Sequence, residues 1–404
     1  MDHRLVSAIE KAFGWDGPAA LGTALARGHI DDAELLARLL TGNRLLDLIM
    51  RRHLANPQLR LYAEGQVLHP SAFLASFISR RRQASRRADM AAVGRILNEG
   101  GTAILDTVNA FDPTLEVACR ALGWWTGELV SVNAYLAVGD TAGFSIHWDD
   151  HDVLCVQLAG QKSWEVRGPS RPHPMYRDAE QNLEPPDEVL WAGTMEPGDV
   201  MHIPRGFWHA ATRVGIGDGL SLHLTFGITR RNGVTWIQSL ADEARAQDLF
   251  RTDLEPPGGH DGDLLVARLA ELALDFDPGR YLSQMRANTP AARHLPYVPA
   301  LGALAGVVAV TEYEPVMVED DAAGTITVTA AGKRLTFAGR AAPDVQLLLS
   351  GHPVQLADAN PDVLQLAEHL VKENLCAPLT DESLSGYTGL VPVASFCARR
   401  SLSA

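Results

Sequence analysis

Residues 133–164 read NAYLAVGDTAGFSIHWDDHDVLCVQLAGQKSW and contain one His-x-Asp pair, His147 and Asp149. In an extended strand, side chains two residues apart share a face, so this imidazole and this carboxylate converge on one point. A second segment, GDVMHIPRGFWHAA at residues 198–211, offers His209 as a third ligand. Two histidines and one carboxylate leave part of a metal's coordination sphere open, which is typical of non-haem Fe(II) oxygenases.

A single His-x-Asp pair is common by chance, so its surroundings matter more than the pair itself. Short apolar or alternating runs recur at residues 130–136, 145–149, 153–158, 163–166, 200–203 and 220–225, with Gly and Pro between them. This pattern predicts an all-β barrel of the jelly-roll or cupin type. Residues 169–186 are rich in Pro and charged residues and predict a long loop of the kind that often covers a barrel mouth.

Three segments together resemble the cupin-type JmjC family of 2-oxoglutarate oxygenases, in particular its ribosomal-oxygenase branch. They are residues 133–166, residues 198–211 and SLHLTFGI at residues 221–228. The resemblance implies an α+β fold with a mainly β core, built on a double-stranded β-helix. The expected regions are a helical and strand apron at 1–100, the JmjC barrel at 101–230, a helical dimerisation region at 231–300 and a winged-helix-like domain at 301–404.

The same resemblance implies the ligand set. His147, Asp149 and His209 would bind Fe(II), because the family's second histidine follows an aromatic pair, here Phe207-Trp208. On the residues alone three other histidines compete for this role: His151, His202 and His223. Of these, His151 shares the strand parity of the first pair, whereas His202 lies inside the preceding strand.

The cosubstrate contacts also follow from the resemblance. 2-Oxoglutarate would occupy two iron positions and O2 the last, and the distal carboxylate would need a cation inside the barrel. By family position that cation is Lys162, with Tyr135 adding a hydroxyl, Asn133 near the metal and Thr225 as a further donor. A lysine in the turn of a surface hairpin is the simpler interpretation of Lys162, but Trp164 and Val166 nearby favour a buried strand.

The composition of the chain limits the kinds of molecule that it is expected to bind. The formal net charge of −14 disfavours bare nucleic acid and suits a basic peptide or protein substrate. The arginine-rich residues 80–87 are interpreted as a solvated helix face or loop. We expect no membrane span, no secretory signal and no disulfide framework from the four scattered cysteines, which favours the cytoplasm.

Flanking regions are predicted to be largely helical. Residues 69–79 and 237–276 have helical patterns, the latter interrupted at 256–259. Two apolar helices placed after a finished barrel predict a homodimer, and intramolecular packing is the alternative.

The favoured function is an Fe(II)- and 2-oxoglutarate-dependent dioxygenase that hydroxylates an amino-acid side chain in a protein or peptide, with a ribosomal protein as one candidate. One alternative is a hydroxylase of a biosynthetic peptide or small metabolite. Another is a non-catalytic metal-binding cupin, which would not need the Lys162 cation.

Overall fold

The computed structural model describes residues 1–54, 56–177, 183–254, 261–291 and 293–396. The first hundred residues mix helices with short strands. In order they are α1 (Arg4–Phe13), β1 (Ala26–His29), α2 (Ala33–Leu39), α3 (Gly42–Arg51), β2 (Leu59–Ala63), β3 (Gln66–Val67), β4 (Leu74–Ile78), β5 (Ala84–Ala88) and α4 (Met90–Asn98).

The prediction of a helix at residues 69–79 is wrong. A short 3-10 turn at Pro70–Ala72 is followed by β4, which pairs with β5 as an isolated antiparallel hairpin. Backbone pairing with a partner strand overrides the local helical pattern here. The arginine-rich residues 80–87 accordingly form the turn and much of β5 rather than a helix face.

The central part of the chain is dominated by strands, as predicted. Its elements are β6 (Thr102–Leu105), α5 (Pro113–Thr126), β7 (Leu129–Val138), β8 (Asp152–Gly160), β9 (Lys162–Arg167), β10 (Val189–Met195), β11 (Asp199–Ile203), β12 (Trp208–Thr212) and β13 (Leu220–Thr229). The one long helix here, α5, begins where Asp112 caps it. Its Oδ1 accepts hydrogen bonds from the N–H groups of Thr114 and Leu115 at 2.9 and 3.1 Å.

These strands form two sheets instead of a closed barrel. The larger sheet has the order β1-β11-β8-β13-β7-β6-β2-β3, and the smaller one has the order β10-β9-β12. Among the described residues no ladder of paired strands joins the two sheets. The cupin-type, mainly β core is therefore confirmed, whereas closure into a barrel is not observed.

Alternation along the strands gives the larger sheet two different faces. On β13, Leu222, Leu224 and Phe226 are buried in the main core with residues of α1 to α5. On β8, Val153 and Cys155 face the other way and pack with residues of the smaller sheet such as Trp164. A strand covered on both sides explains the continuous apolar run at residues 153–158.

The prediction of a regular strand at residues 145–149 is wrong. The backbone of this segment pairs through a single isolated bridge, between His147 and His209. The segment runs irregularly beside β12, held at that one point, so the two residues of the His-x-Asp pair do not lie in a sheet.

The remaining elements lie after the second sheet. They are α6 (Gly233–Ala244), α7 (Asp261–Asp275), α8 (Pro278–Asn288), β14 (Gly306–Ala309), β15 (Val316–Asp320), β16 (Thr325–Ala330), β17 (Lys333–Ala338), α9 (Ala342–Leu348), β18 (Val354–Gln355), α10 (Pro361–Lys372), β19 (Cys376–Pro378), α11 (Asp381–Tyr387) and β20 (Ala394–Ser395). The interruption expected at 256–259 lies outside the described residues.

The C-terminal elements pack onto α5. The indole Nε1 of Trp124 donates to the carbonyl of Thr311 at 2.9 Å, and Arg120 donates to the hydroxyl of Tyr387 at 2.8 Å. The winged-helix assignment, the domain boundaries and the dimerisation role of 231–300 stay predictions. No helix in the described parts of the chain is both long enough and apolar enough to cross a membrane. Cys119, Cys155 and Cys376 are buried free thiols.

Candidate active site

The three predicted ligands come together at one point. One donor atom from each of His147, Asp149 and His209 lies within 4.8 Å of the others. The Nε2 atom of His209 is 3.5 Å from Oδ2 of Asp149, and the two imidazole ring centroids are 4.5 Å apart. It is the one such group of three or more candidate ligands found among the residues that the structure describes.

Backbone contacts place these side chains. The N–H of His147 donates to the carbonyl of His209 at 3.0 Å, and the N–H of His209 donates back at 2.7 Å. Gly143 makes this approach possible, because its φ is +68° and an added Cβ would lie 1.8 Å from the carbonyl oxygen of Ala211. The carbonyl of Asp149 accepts a hydrogen bond from Gly206 at 3.0 Å. The segment 143–149 is thus fixed to β12 and to the turn before it.

The ring nitrogens are arranged for a metal. Nδ1 of His147 is 2.9 Å from the carbonyl of Ser145, and Nδ1 of His209 is 3.1 Å from the carbonyl of Phe207. A carbonyl can only accept, so each Nδ1 carries the proton and each Nε2 keeps a lone pair. Backbone hydrogen bonds of this kind orient the imidazoles that bind metals. The donor set therefore fits a divalent cation.

Electrostatics favour the ionised form of the carboxylate ligand. Burial opposes ionisation of Asp149, but the interaction of its carboxylate with the protonated form of His209 outweighs this and lowers the pKa of the carboxyl to about 2. When His209 is neutral, the ionised carboxylate faces the lone pair of its Nε2. A cation between the two groups satisfies both of them.

The three competing histidines are not part of the ligand group. His202 is fully buried, its Nε2 accepts from the N–H of Gly22 at 3.2 Å, and its Nδ1 donates to the carbonyl of Ala24 at 3.0 Å. Both of its nitrogens are therefore used by the backbone. His223 is stacked on Tyr135 with ring centroids 4.6 Å apart, and His151 lies against Gly227. Neither belongs to the group formed by His147, Asp149 and His209.

A cavity of about 510 Å³ opens between the two sheets and contains the three ligands. Lys162, at the start of β9, lines it and is only 2% exposed. In the described chain no carboxylate lies within ion-pair distance of its ammonium group, and it donates no hydrogen bond. Burial and the nearby Arg213 lower the pKa of Lys162 to about 8. A buried lysine without an anion is costly, so this position suits an anionic ligand.

The other predicted contacts line the same cavity, and strand alternation puts them there. Asn133 and Tyr135 are two residues apart on β7, and Thr225 lies directly opposite Asn133 on β13. The side-chain oxygen of Asn133 accepts from the N–H of Thr107 at 2.8 Å, and Thr225 contacts the thiol of Cys155 at 3.7 Å. Burial raises the pKa of Tyr135, which keeps its hydroxyl protonated and able to donate.

Sequence reasoning missed several lining residues. Arg60 enters from β2, where its guanidinium donates twice to the carboxylate of Asp106 at 2.7 Å and once to the Tyr62 hydroxyl at 3.0 Å. Phe144 contacts the Tyr62 ring edge to face, with centroids 4.4 Å apart. No local signal pointed to Arg60 or Tyr62, because β2 reaches the cavity only through its place in the larger sheet. His223 could have been found, since it shares strand parity with Thr225.

Comparison with known proteins gives a consistent picture. Residues 112–235 match the JmjC domain family. Ribosomal oxygenase 1 of Rattus norvegicus is 33% identical over 169 residues, covering 40% of this chain and 28% of that protein. The bifunctional lysine-specific demethylase and histidyl-hydroxylase NO66 of Brugia malayi is 31% identical over 144 residues, covering 34% and 20%. The chain spans about a quarter of the length of the ribosomal oxygenases it matches.

Among solved structures, Escherichia coli YcfD matches 89% of this chain and 95% of its own, with a TM-score of 0.53 and 18% identity. YcfD has also been solved as a ribosomal oxygenase in complex with cobalt and 2-oxoglutarate, which matches 84% of this chain and 90% of its own, with a TM-score of 0.50 and 17% identity. At these identities the likeness shows a shared fold. The domain match identifies residues 112–235 as a JmjC domain, and the curated relatives show that this part of the chain is similar to ribosomal oxygenases.

Proposed function

We propose that this chain is an Fe(II)- and 2-oxoglutarate-dependent dioxygenase that hydroxylates an amino-acid side chain in a protein or peptide substrate. The observation that carries the proposal is the presence, in one cavity, of a two-histidine, one-carboxylate group and a buried lysine without an anion. A bound metal alone would account for the two histidines and the carboxylate, but it would not account for the buried lysine.

Each residue has a defined part in this proposal. His147, Asp149 and His209 hold iron on one side and leave the opposite positions to 2-oxoglutarate and O2. Lys162 receives the distal carboxylate of 2-oxoglutarate, with the hydroxyls of Tyr135 and Thr225 nearby. Iron, 2-oxoglutarate and O2 together supply the oxidative decarboxylation to succinate that accompanies hydroxylation of a C–H bond.

The cavity walls supply placement and exclusion of water. Trp164 and His223 are buried in the smaller and larger sheet, respectively, and their rings meet edge to face at 5.5 Å. Phe144 lies 6.3 Å from the His147 ring and forms an apolar wall beside the ligand group. A substrate side chain that enters here meets aromatic rings that restrict its position.

A protein substrate is favoured by the relatives and by charge. The curated relatives are named ribosomal oxygenases and a histidyl-hydroxylase, and this chain carries a net charge of −14. A basic ribosomal protein would be attracted to such a surface. We therefore propose a ribosomal protein as the first substrate to test.

A homodimer through residues 237–276 is also proposed. Leu240 and Leu272 are buried together between α6 and α7, whereas Ile237 is 57% exposed and Leu264 is 54% exposed. Apolar side chains left outside a completed small core suit a symmetric contact with a second copy.

The function is tested by oxygen-dependent turnover of 2-oxoglutarate with proteins of the cell as substrates. Mass spectrometry should detect the gain of one oxygen atom on a particular side chain, together with succinate. His147→Ala, Asp149→Ala and His209→Ala should each abolish both iron binding and turnover. His151→Ala is the matched control and should keep its iron. If the three variants bound iron as the parent does, the ligand assignment would be wrong.

A further inference from the structure

A second cavity, of about 230 Å³, lies beside the first and is unusually basic. The described residues that line it include three arginines and two histidines with a single carboxylate: Arg205, Arg230, Arg231, His151, His173 and Asp152. This concentration of positive charge contrasts with the net charge of −14 of the whole chain.

The guanidinium of Arg205 has no partner among the residues that the structure describes. Only its backbone is engaged, because its N–H donates to Oδ1 of Asp152 at 2.8 Å. Arg231 is neutralised by Glu128 at 3.1 Å and donates to the Tyr313 hydroxyl at 3.0 Å. Within the described part of the chain, Arg205 is therefore a cation of this pocket that has no partner for its side chain and whose backbone is held in place.

Arg230 is held across the pocket by two groups. Its Nη1 donates to the carbonyl of Leu21 at 2.9 Å and lies 3.8 Å from Oδ2 of Asp152. Gly22 makes room for it, since a Cβ there would come within 2.4 Å of the same Nη1. The carboxylate of Asp152 thus accepts from the backbone of Arg205 and pairs with the guanidinium of Arg230. Among the described residues, this leaves the charge of Arg205 for a further anion.

His151 connects this pocket to the active-site cavity. Its side chain lines both cavities, and it packs on Gly227, where an added Cβ would lie 2.8 Å from the ring. An anionic group in the basic pocket is therefore separated from the cavity that contains the metal-binding residues by the side chain of His151. A peptide residing in the active-site cavity could place a neighbouring side chain there.

We propose that the basic pocket binds the carboxylate of an Asp or Glu side chain in the peptide being hydroxylated, and so sets which residue of the substrate reaches the metal. This proposal rests on the proposed function. Arg205 is the specificity-determining group, since a free guanidinium can bind a carboxylate through two parallel hydrogen bonds. A polyphosphate backbone fits less well, because the surrounding chain is acidic.

Peptide binding tests the proposal without requiring turnover. Synthetic peptides with one central Arg or His, and a Glu or Gln moved through the flanking positions, are titrated into metal-free full-length protein by fluorescence anisotropy. We expect Glu at one particular position to bind about tenfold more tightly than Gln, the size of one charge-assisted interaction. Arg205→Gln should remove this preference, and Arg205→Lys should restore part of it.

The matched control is Arg81→Gln, which removes an exposed arginine in the β4–β5 hairpin and should leave the preference intact. Three results would overturn the proposal: no position at which Glu is preferred, a preference that persists in Arg205→Gln, or tighter binding of phosphoserine than of Glu at that position. If the preference is present and lost in Arg205→Gln but no peptide is ever hydroxylated, the pocket stands and the proposed function fails.

Discussion

Replacing Lys162 by methionine should weaken the binding of 2-oxoglutarate but stabilise the ligand-free protein. Lys162 is 2% exposed as a residue and lines the cavity, and no carboxylate of the described chain lies within ion-pair distance of its ammonium group. A charge-assisted hydrogen bond contributes about 1.5–3 kcal/mol, so its loss should raise the apparent constant for 2-oxoglutarate about tenfold to a hundredfold. Iron affinity should change little, since Lys162 is not one of the grouped metal-binding residues.

The same change should stabilise the ligand-free protein. Burial lowers the pKa of Lys162 from 10.5 to about 8, so the charged form opposes folding, and folding releases a proton only between these two pH values. This penalty is fully present below pH 8 and disappears as the pH rises towards 10.5. The shift corresponds to about 3 kcal/mol. Lys162→Met should therefore raise the free energy of unfolding at pH 7 by up to about that amount, and the gain should shrink at higher pH.

Two measurements check this reasoning. Succinate production against 2-oxoglutarate concentration gives the apparent constant, and urea unfolding from pH 6 to 10 gives the stability. Lys162→Arg should be less harmful to cosubstrate binding, because a guanidinium also holds a carboxylate. Lys372→Met, at a position whose side chain is 59% exposed, is the matched control and should change neither quantity. An unchanged constant in Lys162→Met would place the carboxylate anchor elsewhere and weaken the oxygenase proposal.

Three further predictions follow from other contacts. His202→Ala should lower the melting temperature, because it leaves the Gly22 N–H without its acceptor. The folded His202→Ala protein should still bind iron in a calorimetric titration, whereas His209→Ala should not. Ile237→Asp should convert a dimer to a monomer in sedimentation, and a parent protein that is monomeric at micromolar concentration would remove the claim. Gly143→Ala should cost about 2–4 kcal/mol in thermal or urea unfolding through its left-handed backbone and its clash with β12; a change under a few tenths would show that the segment can move.

Much of the site was predictable because its residues follow a local rule. Strand alternation puts Asn133 and Tyr135 on one face of β7, and the register with β13 brings Thr225 opposite. The start of α5 is a local feature as well, since the capping carboxylate of Asp112 and the first-position Pro113 act within one turn. These features depend on residues a few positions apart.

The grouping of the ligands was reached for a partly wrong reason. His147 and Asp149 were expected to share the face of a strand, but the segment is irregular and is positioned by its bridge to His209. Strand parity at residues 145–149 therefore does not explain the geometry. A long-range backbone contact does, and a loop permitted by Gly143 allows it.

By itself, then, the sequence determined the nature of the chemistry: a histidine–carboxylate pair, a third histidine, a lysine on the next strand, and strands whose alternation points polar residues inward. Only the tertiary structure decided which histidines keep a free nitrogen, that the strands form two facing sheets, that residues 74–88 form a hairpin, and that Arg205 and Arg230 meet beside the active site. The reason is physical. Hydrophobic periodicity acts over neighbouring residues, whereas hydrogen-bond partners, ion pairs and cavities are set by segments brought together from distant parts of the chain.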